Sequence, residues 1–248
     1  MRRLLLVLTL VVAAAPAGAA QPVQVAVAAN FLSTVRTLAP DFTRRTGTPV
    51  KISSGSTGKL YAQIRNGAPY DVFLAADVRR PRLLQTQGLT AAGSRFTYAI
   101  GRLVLWSADP KRVAHMPDAL RHPGFHRLAI ANPDTAPYGA AARTVLNRLN
   151  LWTTLAPRLV RGENVGQTFQ FVATGNAQLG FVALSQVLAA KDVSHKHWTV
   201  PARLYEPIEQ QAVELTGGDN PEGGAAFLRY LRNPEARHII RTAGYALP

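Results

Sequence analysis

The sequence predicts an α/β fold of two lobes joined by two extended crossings, with a ligand cleft between the lobes. Three observations in the 248-residue chain predict it. Short β-rich runs alternate with amphipathic helical ones, the pattern of a parallel sheet covered by helices on both faces. Two strand-like stretches, Phe96 to Trp106 and Tyr205 to Leu215, are longer than the rest, as hinge strands between lobes would be. Four turns lead directly into helices, so several helix starts can converge on one cleft.

The elements follow in order. Val23 to Ala28 alternates as a strand. Asn30 follows as a natural N-cap, and Val35, Leu38, Ala39 and Phe42 then mark one helical face that Gly47 ends. Pro40 lies inside that helix and is expected to kink or break it. Val50 to Ser53 is a strand, the polar turn Ser54 to Gly58 follows, and a short helix carries Leu60, Tyr61 and Ile64 as far as Asn66-Gly67. A strand over Val72 to Ala75 and a helix over Arg80 to Gln87 complete this part. After the first crossing, which Gly101 interrupts, come a strand at Leu128 to Ala131, helices at Tyr138 to Leu149 and Val165 to Thr174, and a strand at Leu179 to Ala183. Two helices near Glu222 to Leu231 and Pro234 to Thr242 close the chain. The expected division is lobe 1 over residues 21–101 and 210–248, and lobe 2 over residues 102–209.

Residues 1–20 read as an export signal. Arg2 and Arg3 form a positive start, Leu4 to Ala15 is apolar, and small or turn-forming residues run from Pro16 to Ala20. The apolar run is too short to span a bilayer comfortably, and no cysteine is present for a lipid anchor. Cleavage near Ala20 would leave a soluble periplasmic protein, expected to act as a monomer. With no cysteine the chain has no disulfide, thiolate metal site or thiol nucleophile. The formal charge of +14 falls to about +12 without Arg2 and Arg3. The basic residues are scattered, with no nucleic-acid-binding motif among them, so no nucleic-acid partner is expected. A positive field of this kind can still help an anion arrive.

The chemistry concentrates in four turns: Ala28 to Phe31, Gly55 to Gly58, Ala136 to Gly139 and Glu163 to Gly166. A helix start presents unpaired N–H groups and the positive end of the helix dipole, so several together form an anion site without charged side chains. Asn30, Ser56 and Thr57 add side-chain donors. Rival chemistries fail. Gly58-Lys59 looks like the end of a phosphate-binding loop, but that motif needs Gly at 53 and Ser or Thr at 60, where Ser53 and Leu60 stand. His122 and His126 are separated by Pro123-Gly124, and His195 and His197 flank Lys196, so both pairs read as surface loops rather than metal ligands. Asp71 and Asp77 read as caps of a strand and the next helix, and Tyr61, Tyr98, Trp106 and Trp198 as core or hinge packing. No serine-hydrolase elbow occurs, no cofactor is expected, and the chain reads as a non-enzyme.

On these turns the chain resembles the periplasmic molybdate-binding proteins of ABC transporters. The matching stretches include Val27 to Phe31, Ile52 to Leu60, Gly67 to Phe73, Ala75 to Asp77, Tyr98 to Trp106, Asn132-Pro133, Ala136 to Gly139 and Leu179 to Ala183, in order along nearly the whole mature chain. The resemblance implies a type II periplasmic-binding fold, a molybdate or tungstate dianion as ligand, and an inner-membrane ABC permease as partner. It places side-chain donors on Asn30 and Thr57, and main-chain donors on Asn30, Thr57, Tyr138 and Val165. These four residues would touch the oxygen atoms of the ion, never its metal. The chain departs from the pattern at Ala29, where some members carry a hydroxyl, and at Ala183, where many carry a tyrosine. A receptor for sulfate or another small anion is the alternative on the same fold. A porphyrin-pathway deaminase, an enzyme on that fold, would need a cofactor-bearing cysteine.

Overall fold

The computed structural model describes residues 20–113, 116–121, 124–191, 193 and 195–248. The expected export signal therefore lies outside the described residues except for Ala20, and so does His122. The chain opens with β1 (Val23–Ala28), a 3₁₀ turn at Ala29–Phe31, α1 (Leu32–Thr46), β2 (Val50–Gly55), α2 (Thr57–Arg65), β3 (Val72–Leu74), α3 (Arg79–Thr86) and β4 (Phe96–Gly101). Arg102 alone separates β4 from β5 (Leu103–Trp106), which enters a second sheet. That part continues with β6 (Leu128–Ala131), α4 (Pro137–Arg148), α5 (Trp152–Leu155), β7 (Leu159–Gly162), α6 (Val165–Ala173), β8 (Leu179–Ala183), α7 (Leu184–Ala189) and β9 (His197–Thr199). The chain returns through β10 (Ile208–Glu214) and ends in α8 (Pro221–Leu231) and α9 (Pro234–Thr242).

Two five-stranded sheets result, in the orders β2-β1-β3-β10-β4 and β7-β6-β8-β5-β9. They are mixed rather than parallel as expected. β10 runs antiparallel to β3 and β4, and β5 antiparallel to β8 and β9. Each reversed strand adjoins a crossing, where the chain enters a sheet from the other lobe instead of through a helix on its face. Ile208 and Glu209 pair with Gly101 and Ile100, so the second crossing ends before Ile208, two residues earlier than expected.

The first sheet is covered on both faces, which explains its apolar strands. Val25 and Val27 of β1 pack with Phe31, Val35, Leu38, Phe42 and Phe227 beneath α1 and α8, while Ala26 faces Leu60, Ile64 and Leu84 beneath α2 and α3. Asp71 is fully buried just before β3. Its carboxylate accepts the main-chain N–H groups of Gln24 and Asn220, each at 2.6 Å, and ties β1 to the start of α8. Asp77 accepts from the Arg80 N–H at 2.9 Å and caps α3. In the second sheet Trp106 is buried and stacks on Phe169 with ring centroids 4.8 Å apart.

Two local expectations are corrected. Pro40 neither breaks nor ends α1, which runs through it from Leu32 to Thr46. Pro40 lies exposed, on the side away from buried Val35, Leu38 and Phe42, so the carbonyl it cannot bond faces water instead of the core. His197 sits in the edge strand β9 rather than a loop, paired with Trp106. Among the described residues no group of three or more His, Cys, Asp or Glu could hold a metal ion. None of their helices is long and apolar enough to cross a membrane.

Candidate functional site

The four turns meet. Asn30, Thr57, Tyr138 and Val165 line one small cavity between the lobes, with about 200 Å³ of space not filled by protein atoms. Thr57 begins α2 and Val165 begins α6; Tyr138 follows Pro137, the first residue of α4. The caps of these helices bond one turn in. Ser56 Oγ accepts from the Lys59 N–H at 3.3 Å, and Asn164 Oδ1 from the Gln167 N–H at 3.0 Å. Pro137 has no N–H at all. The N–H groups of Thr57, Tyr138 and Val165 have no acceptor within their own helices, and all three residues line the cavity. Thr57 Oγ1 accepts the Ala76 N–H at 3.1 Å, which leaves its own proton to donate.

Among the described residues, no Lys, Arg, His, Asp or Glu lines this cavity. Glu163, the nearest carboxylate in sequence, is exposed and pairs across the lobes with Lys59 Nζ at 3.4 Å. A larger cleft, with about 1470 Å³ on the same measure, runs beside the second crossing and carries charges of both signs, including Asp77, Arg80, Arg143 and Glu206. Two of its three arginines are already engaged: Arg80 with Asp77 and the Asp134 carbonyl, Arg143 with Asp134. Convergent helix starts, not size, therefore make the small cavity the candidate anion site.

Asn30 differs from the expected cap. It lies within the 3₁₀ turn, 1% exposed, and its Nδ2 donates to Gln210 Oε1 at 2.9 Å and to the Tyr245 hydroxyl at 3.1 Å. Its carbonyl accepts from Tyr245 Oη at 2.7 Å and from Ser185 Oγ at 3.0 Å. Both amide hydrogens of the side chain are thus used behind the cavity, and the main-chain N–H is the donor Asn30 has left to offer. Gln210, Ser185 and Tyr245 were not singled out by the sequence reading. A signal existed for Gln210: Ile208, Gln210 and Ala212 alternate along β10, and a polar residue in a core-facing row asks for an explanation. Ala29 lines the cavity with no hydroxyl to give. Ala183 is buried at the end of β8, and its N–H donates to Gln186 Oε1 at 3.1 Å.

The lobes are in contact around the site. The Gly58 N–H donates to the Thr135 carbonyl at 2.9 Å, and Arg80 Nη2 to the Asp134 carbonyl at 3.0 Å. Burial holds the Tyr98, Tyr138 and Tyr245 hydroxyls well above the usual tyrosine range, so all three stay neutral.

The chain matches the family model described as bacterial extracellular solute-binding protein over residues 23–246. It is 51% identical over 232 residues to the molybdate-binding protein ModA of Azotobacter vinelandii, covering 93% of this chain and 92% of that protein. Identity to the ModA of Rhodobacter capsulatus is 46% over 238 residues, covering 96% and 93%. Among solved structures, the Azotobacter vinelandii periplasmic molybdate-binding protein superposes with a TM-score of 0.88 at 47% identity, covering 91% of this chain and 99% of that one.

Proposed function

The chain belongs to the bacterial extracellular solute-binding proteins, and on that premise we propose that it captures molybdate, and tungstate with it, for an ABC importer. It is a transport receptor rather than an enzyme. The observation that carries this reading is the cavity wall: helix-start residues from both lobes and the Thr57 hydroxyl from one, with no charged side chain among the described residues. Molybdate and tungstate are fully ionised near neutral pH and need only donors. Phosphate and arsenate retain a proton and want a carboxylate to accept it, which this cavity does not contain. Charge-assisted hydrogen bonds and the dipoles of α2, α4 and α6 replace the water that the dianion loses. The two relatives named for molybdate, at 51% and 46% identity, favour molybdate over sulfate as the cargo.

In this reading Asn30 and Thr57 hold the ion from one lobe, Tyr138 and Val165 from the other. One small ion reaches donors in both only when the cleft shuts, so its binding energy favours the closed form. Closure also creates the surface that an inner-membrane permease distinguishes from the empty receptor. The protein works as a monomer.

Isothermal calorimetry with molybdate, tungstate, sulfate and phosphate tests the assignment. Tight binding of the first two and none of phosphate is expected; a preference for phosphate would overturn it. Thr57→Ala is expected to weaken molybdate binding by about 2 kcal/mol, the cost of a lost hydrogen bond to a charged group. Lys59→Ala should change affinity less than about threefold, because its ion pair is exposed at both ends. The reverse ranking of these two variants would move the site to Lys59.

Export places the receptor in the periplasm, with the mature chain starting near Gln21 after cleavage at Ala20. Intact-mass measurement of the periplasmic protein should find that start. A soluble cytoplasmic protein beginning at Met1 would refute it.

A further inference from the structure

We propose that Gln210 is the positioning residue that ties the hinge strand to both halves of the oxyanion site. The inference rests on the reading of that cavity as the molybdate site. Gln210 stands near the start of β10, directly after the second crossing, and is fully buried. The pairing of β10 with β4 shifts register between Gln210 and Gln211, with Tyr98 of β4 as the extra residue opposite them, and such an irregularity commonly re-aims a side chain beside a site.

The carboxamide works in two directions. Its Oε1 accepts from Asn30 Nδ2 at 2.9 Å and from the Tyr98 hydroxyl at 3.1 Å, both on its own lobe. Its Nε2 donates to the Tyr138 hydroxyl at 3.3 Å, on the opposite lobe. Opening the cleft would break the contact to Tyr138 and keep those to Asn30 and Tyr98. With its side chain held from behind, Asn30 keeps its main-chain N–H toward the cavity. Tyr138 carries the first N–H of α4, so drawing its hydroxyl to Gln210 also seats that N–H at the ion.

The first crossing leaves room for the contact. A Cβ on Gly101 would stand 2.2 Å from the Tyr138 hydroxyl and 2.6 Å from Gln210 Nε2. The amide and the tyrosines around it are neutral, so the positioning adds no charge beside a dianion. A glutamine that merely filled the core would affect stability and leave the affinity of the folded protein unchanged.

Calorimetry with molybdate on Gln210→Leu, Gln210→Glu, Tyr138→Phe and the Gln210→Leu/Tyr138→Phe double variant separates these roles, with thermal unfolding of each ligand-free protein alongside. Gln210→Leu is expected to bind roughly tenfold or more weakly. The double variant should be little worse than Gln210→Leu, because both changes remove the same link. Gln210→Glu keeps the shape and adds a buried titratable carboxyl. Its affinity should fall as pH rises from 6 to 8, while the wild-type affinity stays level. The proposal is overturned if Gln210→Leu binds within twofold of wild type, if the single effects multiply in the double variant, or if Gln210→Glu follows the wild-type pH profile. Should Gln210→Leu fail to fold, Gln210→Glu and Tyr138→Phe still decide it. A wild-type protein that binds neither molybdate nor tungstate would instead refute the reading of the site itself.

Discussion

Gly139→Ala is expected to cost about 3 kcal/mol of molybdate affinity, more than a hundredfold, and to lower the melting temperature of the empty protein as well. Gly139 lies in the first turn of α4, against the end of β6. A Cβ there would meet the Ala131 carbonyl oxygen at 2.2 Å, its carbon at 2.6 Å and the Asn132 carbonyl carbon at 2.8 Å. These are backbone atoms, and they cannot rotate away. Ala131 pairs with Gly162 of β7, and the Asn132 N–H donates to the Gly162 carbonyl at 2.7 Å, so the strand is held from its other side. The start of α4 must lift instead. Overpacking of this kind costs about 1–3 kcal/mol of stability. The lift also carries the Tyr138 N–H away from the cavity and its hydroxyl away from Gln210, and each hydrogen bond to a charged group is worth about 1.5–3 kcal/mol. Gly217→Ala is the control, since a Cβ there meets nothing within 4 Å. Wild-type affinity and melting temperature for Gly139→Ala would show that α4 is not seated as described.

The parts of this molecule legible in the sequence are those encoded locally. The stripe of Val35, Leu38 and Phe42 repeats at the helical period, and the turns before α2, α4 and α6 announce themselves through Ser56, Pro137 and Asn164. Strand direction is not local. Ile208 to Glu214 reads as extended in either direction, and only the crossing from the other lobe makes β10 antiparallel. The short edge strand β9 is only His197-Trp198-Thr199 and has no alternation long enough to read. The deeper omission is the network behind the cavity. Asn30 bonds Gln210 and Tyr245, which lie 180 and 215 residues away in sequence, so no window of the chain contains both partners. Local rules therefore made Asn30 a helix cap, whereas its tertiary partners claim both hydrogens of its side-chain amide.

Gly58→Leu should leave the protein folded and remove most of its oxyanion binding, about 4 kcal/mol or more. Gly58 is the second residue of α2, and its N–H donates across the cleft to the Thr135 carbonyl at 2.9 Å. A Cβ at this position would stand 3.0 Å from that oxygen, 3.1 Å from Thr135 Cα and 3.0 Å from Arg80 Nη2. An alanine can be accommodated in part by rotating Arg80 and parting the lobes slightly. A leucine needs room for a whole side chain where the lobes now touch. Within its own lobe the change is favourable, because leucine is a better helix former than glycine by nearly 1 kcal/mol. The ligand-free protein should therefore be no less stable, and the whole deficit should appear on binding. With the cleft propped open, the donors of Tyr138 and Val165 cannot reach an ion held by Asn30 and Thr57, and each lost bond to the dianion is worth about 1.5–3 kcal/mol. Small-angle scattering should show the wild type contracting when molybdate is added, Gly58→Ala contracting at higher ligand concentration, and Gly58→Leu staying expanded. If Gly58→Leu bound with wild-type affinity, or contracted as the wild type does, the ion would be held within one lobe and the contact between Gly58 and Thr135 would have no part in closure.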